Sequence, residues 1–265
     1  MVYKGANMLA EERKEVIYEM VNKKKAVRVS DLSKVLNITE ATVRRDLDEL
    51  QNEKKLRRTH GGAVPLYPAG SEYVVSELAI ENIIEKRKIA QRAYTAIDDY
   101  DTIILDGSST VLELSRLLAQ GDRKGIIVVT NALSVTNVLS AKKDISVLNI
   151  GGEVRYHINS TIGKIAEKTI RDIRVDKTFI GINGIDLEFG YSITNFDEAA
   201  VKIEMVKSAK QTFILADHSK FGKSYLAKVA NNEGEIDFLV TDSKNDDYDY
   251  DQMEERVNMM YADVN

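Results

Sequence analysis

The 265-residue chain has no cysteine and no tryptophan, only two prolines, and three histidines. Without cysteine there is no disulfide framework, no thiolate metal site and no cysteine nucleophile. His60, His157 and His218 stand far apart, with no HxxxH or HxH spacing, so no metal site is expected from them. No apolar run approaches the ~18 residues of a membrane-spanning helix. The opening MVYKGANMLAEERK lacks the apolar core of a signal peptide. These absences lead to the expectation of a soluble, cytoplasmic protein with no membrane partner and no cofactor.

The two prolines mark a boundary. Pro65 and Pro68 both fall in PLYPAGSEYVVSE, residues 65–77, beside Gly70. Proline disfavours both helix and ladder, so a junction belongs here. The net charge of −5 also divides there. Residues 1–68 carry 14 Lys and Arg against 10 Asp and Glu, and the remainder carries 23 against 32. A basic head on an acidic body suggests two tasks. The expected division is a small domain over 1–64, a linker over 65–80, and a larger domain over 81–265.

The head reads as three helices and a hairpin. Leu9, Arg13, Val16, Ile17 and Met20 have helical spacing. Ser30 is the expected N-cap of a second helix carrying Leu32, Val35 and Leu36, with Asn37 ending it and Thr39 capping a third. In that third helix Val43, Leu47 and Leu50 form an apolar stripe. Ala41, Arg45 and Asp48 then face outward, flanked by Glu40, Thr42 and Arg44. Leu56 and Val64 suit a hairpin with Gly61-Gly62 near its turn, and Lys54, Lys55, Arg57 and Arg58 make it basic. A helix that packs one face and offers short polar and cationic groups on the other fits the major groove. Arginine pairs bidentately with guanine or clamps phosphate. The candidate DNA-contacting residues are Ser30, Thr39, Glu40, Thr42, Arg44, Arg45, Lys55, Arg57, Arg58, His60 and Gly61. VRRDLDEL alone also reads as a solvated helix with Arg44–Asp48 and Arg45–Glu49 pairs. Three helices in order followed by a basic hairpin weigh against that reading.

The body alternates strand and helix. Strands are expected at 102–105, 126–129, 145–150, 178–182, 212–216 and 237–241, and helices at 110–119, 132–141, 161–171 and 197–209. Ile89, Ala93 and Ile97 mark an earlier helix. This is the pattern of a mostly parallel sheet covered on both faces, a doubly wound α/β fold. The strand ends carry polar loops. LDGSST (105–110) opens a helix, so Gly107, Ser108, Ser109 and Thr110 suit a phosphate, and Asp106 suits a sugar hydroxyl. Thr130, Asn131, Gly151, Gly152 and Lys220, the last near Asp217, follow other strands and complete the candidate effector site. Each loop alone is ordinary turn or cap chemistry; four together favour a site. The loop lacks GxxxxGK[ST], which argues against nucleotide hydrolysis. Glu198 and Lys202 either border the pocket or form an exposed i,i+4 pair. The acidic tail from 243 onward reads as weakly helical, with no assigned role.

The segment VSDLSKVLNITEATVRRDLDELQNEKKLRRTHGGAV (29–64) resembles the winged helix-turn-helix of the DeoR family of bacterial regulators. LDGSST, VTN (129–131), Gly151-Gly152 and LADHSKFG (215–222) agree with that resemblance. It implies a repressor whose C-terminal domain binds a phosphorylated sugar, with a fold related to ribose-5-phosphate isomerase and CoA transferases. Operator DNA and a homo-oligomer, dimer or tetramer, are the implied partners. The alternative is a sugar-phosphate isomerase-like enzyme, with Asp106 or Glu198 as base and Lys220 as phosphate clamp.

Overall fold

A computed structural model describes residues 8–24, 27–53, 55–59, 61–65, 81–232, 234–244 and 248–262. His60, Lys54 and all of the expected linker after Pro65 lie outside these. The chain divides into two compact units, one with the described residues up to Asn82 and one from Ile83 onward.

In the first unit, α1 (Ala10–Lys24), β1 (Val27–Arg28), α2 (Val29–Leu36) and α3 (Glu40–Asn52) precede a hairpin of β2 (Leu56–Thr59) and β3 (Gly62–Pro65). The sheet order is β1-β3-β2, antiparallel throughout. Ile17, Leu32, Leu36, Val43, Leu47 and Leu50 fill the core. Leu9, counted in the helical spacing of the first helix, precedes α1 and is 72% exposed. Asn37 ends α2 in the left-handed region, at φ 52°. Thr39 caps α3 by accepting from the Thr42 amide at 3.2 Å. Ser30 is not the cap of α2. Pairing of Val27 with Ala63 and of Arg28 with Gly62 brings the chain to the helix start early, so Arg28 takes the cap position and Ser30 lies in the first turn. The close approach of β1 also explains Gly62: a Cβ there would lie 1.8 Å from the Val27 carbonyl oxygen. Arg13 donates to buried Asp46 at 2.6 and 2.9 Å, tying α1 to α3.

The second unit is built on a seven-stranded parallel sheet in the order β15-β14-β12-β9-β4-β5-β6. Its strands are β4 (Thr102–Leu105), β5 (Ile126–Thr130), β6 (Ile145–Asn149), β9 (Val175–Gly181), β12 (Ala209–Leu215), β14 (Phe238–Thr241) and β15 (Asn258–Tyr261). Parallel neighbours require crossovers, and helices supply most of them. After α4 (Ile83–Tyr94), which precedes β4, the crossover helices are α5 (Ser109–Gln120), α6 (Leu133–Leu139), α7 (Lys164–Arg171), α8 (Phe196–Ser208) and α9 (Tyr250–Glu254). Two buried clusters line the two faces, one with Ile103, Leu105 and Val128, the other with Ile104, Val129 and Ile180. Phe179, Phe213 and Phe238 are paired in register across β9, β12 and β14 and stack at 4.8 and 4.6 Å between centroids.

Three features depart from the expected alternation. A hairpin of β7 (Glu153–Arg155) and β8 (Ser160–Ile162) precedes α7. A second sheet, antiparallel, joins β10 (Gly184–Asp186), β11 (Gly190–Ile193) and β13 (Ala227–Ala230). The tail is not merely weakly helical, since β15 extends the main sheet at the β14 edge. From β4 the chain first winds outward through β5 and β6, then returns to the other side of β4 as β9. The switch point of the sheet therefore lies between β4 and β9.

Candidate functional site

In the first unit α3 presents Glu40, Ala41, Arg44, Arg45 and Asp48 to solvent. The cations differ in how firmly they are held. Arg44 donates to Glu40 at 2.8 Å, Arg58 to Asp48 at 2.5 Å, and Lys55 lies 2.9 Å from Glu53. That glutamate raises the Lys55 ammonium above its ordinary pKa. Arg57 makes a two-pronged contact with Glu81, one prong at 3.0 Å. Arg45 is 68% exposed and its nearest carboxylate, Glu49, is 4.0 Å away. Of the candidate DNA-contacting cations it is thus the one least held by an ion pair. Arg28, exposed beside the start of α2 and without an ion pair among the described residues, is a further candidate that sequence reading missed. Gly61 is exposed with open space around it, and Ser30 is half-buried.

The body's candidates gather at the carboxyl ends of the parallel strands. Ser108 caps α5, its Oγ accepting from the Val111 amide at 3.3 Å. This leaves the amides of Ser109 and Thr110 in the first turn of a twelve-residue helix, where the dipole favours an anion. Asp106 behaves differently from expectation. It is 1% exposed. Its Oδ1 accepts from Ser108 N at 2.9 Å; its Oδ2 accepts from Gly181 N at 2.8 Å and from the ammonium of Lys202. A carboxylate so enclosed anchors the loop instead of facing a sugar hydroxyl, and it is no free base for isomerisation. Gly181 is what permits this approach: a Cβ there would lie 2.4 Å from Ser108 Cβ.

Thr130 is fully buried, donating to the Leu105 carbonyl at 2.6 Å and accepting from Ala132 N at 3.0 Å, so it too shapes the loop from within. Asn131 donates through Nδ2 to the Thr161 carbonyl at 2.7 Å. Its buried Oδ1 has no hydrogen-bond partner among the described residues. Gly152 packs against the β8 carbonyl of Ile162, whereas Gly151 is exposed with open space beside it. After β12, Asp217 accepts from Ser219 N at 3.0 Å, and Lys220 Nζ stands 4.0 Å from Asp217 Oδ2.

Lys202 was expected either at the pocket border or as half of an exposed pair. It is 3% exposed, bonded to Asp106 and 3.3 Å from Glu198. Burial pulls the pKa of its ammonium down, but the two carboxylates outweigh this and the net direction is up. Its i,i+4 spacing to Glu198 was legible; its burial was not. His218 is a second missed group. Its Nδ1 lies 2.6 Å from Oδ2 of buried Asp242, which also accepts from His218 N at 2.8 Å. That contact orients the half-exposed imidazole and leaves Nε2 for another partner.

An open pocket of about 620 Å³ lies elsewhere, lined by Asp186, Glu188, Phe189, Ser224 and Tyr225. Its two carboxylates suit it poorly to a phosphate. Among the described residues no cluster of three or more His, Cys, Asp or Glu is placed to hold a metal, and no helix is long and apolar enough to cross a membrane.

Comparison with known proteins adds a consistent set of likenesses. Residues 13–67 match the model of the DeoR-like helix-turn-helix domain and residues 81–243 that of the DeoR C terminal sensor domain. The chain is 38% identical over 236 residues to the uncharacterized HTH-type transcriptional regulator YulB of Bacillus subtilis (strain 168), covering 89% of this chain and 90% of that protein. It is 33% identical to the transcriptional repressor AccR of Agrobacterium fabrum, covering 88% and 90%. With the lactose phosphotransferase system repressor of Staphylococcus aureus it shares 32% identity, covering 80% and 84%. Ribose 5-phosphate isomerase A of Methanocaldococcus jannaschii superposes with a TM-score of 0.40 at 18% identity, over 53% of this chain and 55% of that one.

Proposed function

The chain belongs to the DeoR family of transcriptional regulators, and on that premise we propose that it represses an operon of sugar metabolism under the control of a phosphorylated sugar. The regulator acts by binding DNA, not by turnover. The sugar phosphate is read at the carboxyl ends of β4, β5, β9 and β12. The observation that carries this is the seat of the Asp106–Thr110 loop. It lies at the switch point between β4 and β9, where open α/β sheets bind ligands. There the first turn of α5 offers amides and hydroxyls of Ser109 and Thr110 to a phosphate, Lys220 is a cation in the loop after β12 on the same edge of the sheet, and the Oδ1 of Asn131, without a partner among the described residues, suits a hydroxyl.

In this reading Arg44, Arg45 and the wing cations Lys55, Arg57 and Arg58 hold operator DNA, with Thr39 and Thr42 at the helix N-terminus. A homo-oligomer presents paired heads to repeated half-sites, and the protein works in the cytoplasm. The relatives' names point the same way: one is a repressor of a lactose phosphotransferase system. A thermal-shift panel of phosphorylated sugars and their unphosphorylated parents tests the ligand class. Stabilisation by at least one phosphate ester and by none of the parents is expected; equal stabilisation by a parent sugar contradicts the phosphate site.

A further inference from the structure

Lys202 holds a position that stability does not explain. Taking an ammonium and a carboxylate out of water is costly, and a buried pair at best breaks even against an apolar side chain of the same size. Its flanks on α8, Val201 and Met205, are buried apolar residues, so an apolar residue would serve the packing at 202. Yet the ammonium is placed on Asp106, at the switch point and one residue before the phosphate-sized turn.

The surrounding bonds form a short chain of consequence. Lys202 holds Asp106. Asp106 fixes the amides of Ser108 and Gly181 at 2.9 and 2.8 Å. Ser108 in turn caps α5 through the Val111 amide. The loop's shape thus passes through one carboxylate. That carboxylate also poses a problem: it carries negative charge beside the place where a phosphate dianion would sit. Glu198 adds a second carboxylate at 3.3 Å from the same ammonium. Like charges this close in a buried setting oppose binding unless a cation offsets them.

We propose that Lys202 is a positioning residue of the effector site, which holds the Asp106 carboxylate against the Ser108 and Gly181 amides and masks its charge so that a phosphate dianion can settle on the N-terminus of α5. The proposal rests on the phosphate reading of that site. It adds a residue 96 positions away in sequence from the loop it shapes. It also explains why a phosphate turn that begins with an aspartate need not repel its ligand.

The test uses the full chain as wild type, K202M and K202R. Amide hydrogen exchange is followed without ligand, and binding of inorganic phosphate, glucose 6-phosphate, fructose 1-phosphate and fructose 6-phosphate is followed by calorimetry. In K202M the Ser108 and Gly181 amides are expected to exchange about tenfold faster or more, while strand amides such as Ile103 and Phe213 keep their rates. Phosphate-ester affinity is expected to fall by about tenfold or more in K202M, where the Asp106 charge is left unmasked. K202R, which keeps the charge, retains binding better than K202M. Unchanged exchange at Ser108 and Gly181 in K202M overturns the proposal, as does ester affinity in K202M equal to that of the wild type. Should no ester bind the wild type while the two amides still respond to K202M, the phosphate reading fails and the loop-holding role stands.

Discussion

Replacing Arg45 by alanine separates the head's fold from its task more cleanly than any other single change in α3. The side chain is 68% exposed, and its only ion-pair partner among the described residues, Glu49, is 4.0 Å away. An exposed pair at that distance contributes at most ~0.5 kcal/mol, so the variant should unfold at the wild-type urea midpoint within error. DNA binding should respond differently. A bidentate contact to a guanine edge is worth about 1–3 kcal/mol, roughly a 5- to 150-fold loss concentrated on one base pair. A phosphate contact would instead weaken all sequences alike and lower the salt slope by about one. Arg44→Ala is the internal comparison, because Arg44 must first leave Glu40, which it holds at 2.8 Å. Fluorescence anisotropy on a promoter duplex from the protein's own operon, from about 50 to 200 mM salt, resolves both outcomes. Wild-type affinity and salt slope in R45A, with the fold intact, would refute the assignment of α3 as the reading helix.

Other consequences follow from the same geometry. Gly62→Ala drives a methyl to within 1.8 Å of the Val27 carbonyl and should destabilise the head by about 1–3 kcal/mol. Gly61→Ala meets open space and should stay within about 0.5 kcal/mol in urea denaturation; equal effects at the two sites would mean that β1 is not paired as described. In the body, Arg171 donates to Glu204 at 3.0 and 3.1 Å and holds that carboxyl below its ordinary pKa. A carboxyl depressed on folding binds fewer protons folded than unfolded, so its contribution is full above the ordinary glutamate range and is lost as pH falls through the folded value. Thermal melts from neutral pH into that acid range should therefore fall less steeply in R171M than in wild type, and parallel curves would rule this pair out as a source of the acid limb.

How much of this was visible in the sequence depends on how local each feature is. Asn37, Thr39 and the Val43–Leu47–Leu50 stripe were legible because capping and helical periodicity act within a few residues. The Ser30 cap was misjudged because the start of α2 is set by pairing of Val27 with Ala63, across a wing not yet formed in the sequence. The main strands announced themselves as β-branched runs. The segments β10, β11 and β15 did not: they are three or four residues long, and NMMY carries no β-branched residue at all. The strand-end loops were identified as a group, but their internal roles were not. Asp106 looked like a ligand contact because its partners, Gly181 and Lys202, come from β9 and α8, far along the chain. His218 gave no local signal, because its partner Asp242 comes from just beyond β14.

The proposed regulator couples a phosphorylated sugar to an operator within one chain. The most direct test is an anisotropy titration of the full chain on its own promoter duplex, with and without each sugar phosphate that stabilises it, at one fixed salt concentration. Sequence-selective binding is expected, with a Kd that changes by about 5-fold or more with a phosphorylated sugar and stays fixed with the unphosphorylated parent. An operator affinity that no stabilising sugar phosphate alters would contradict it.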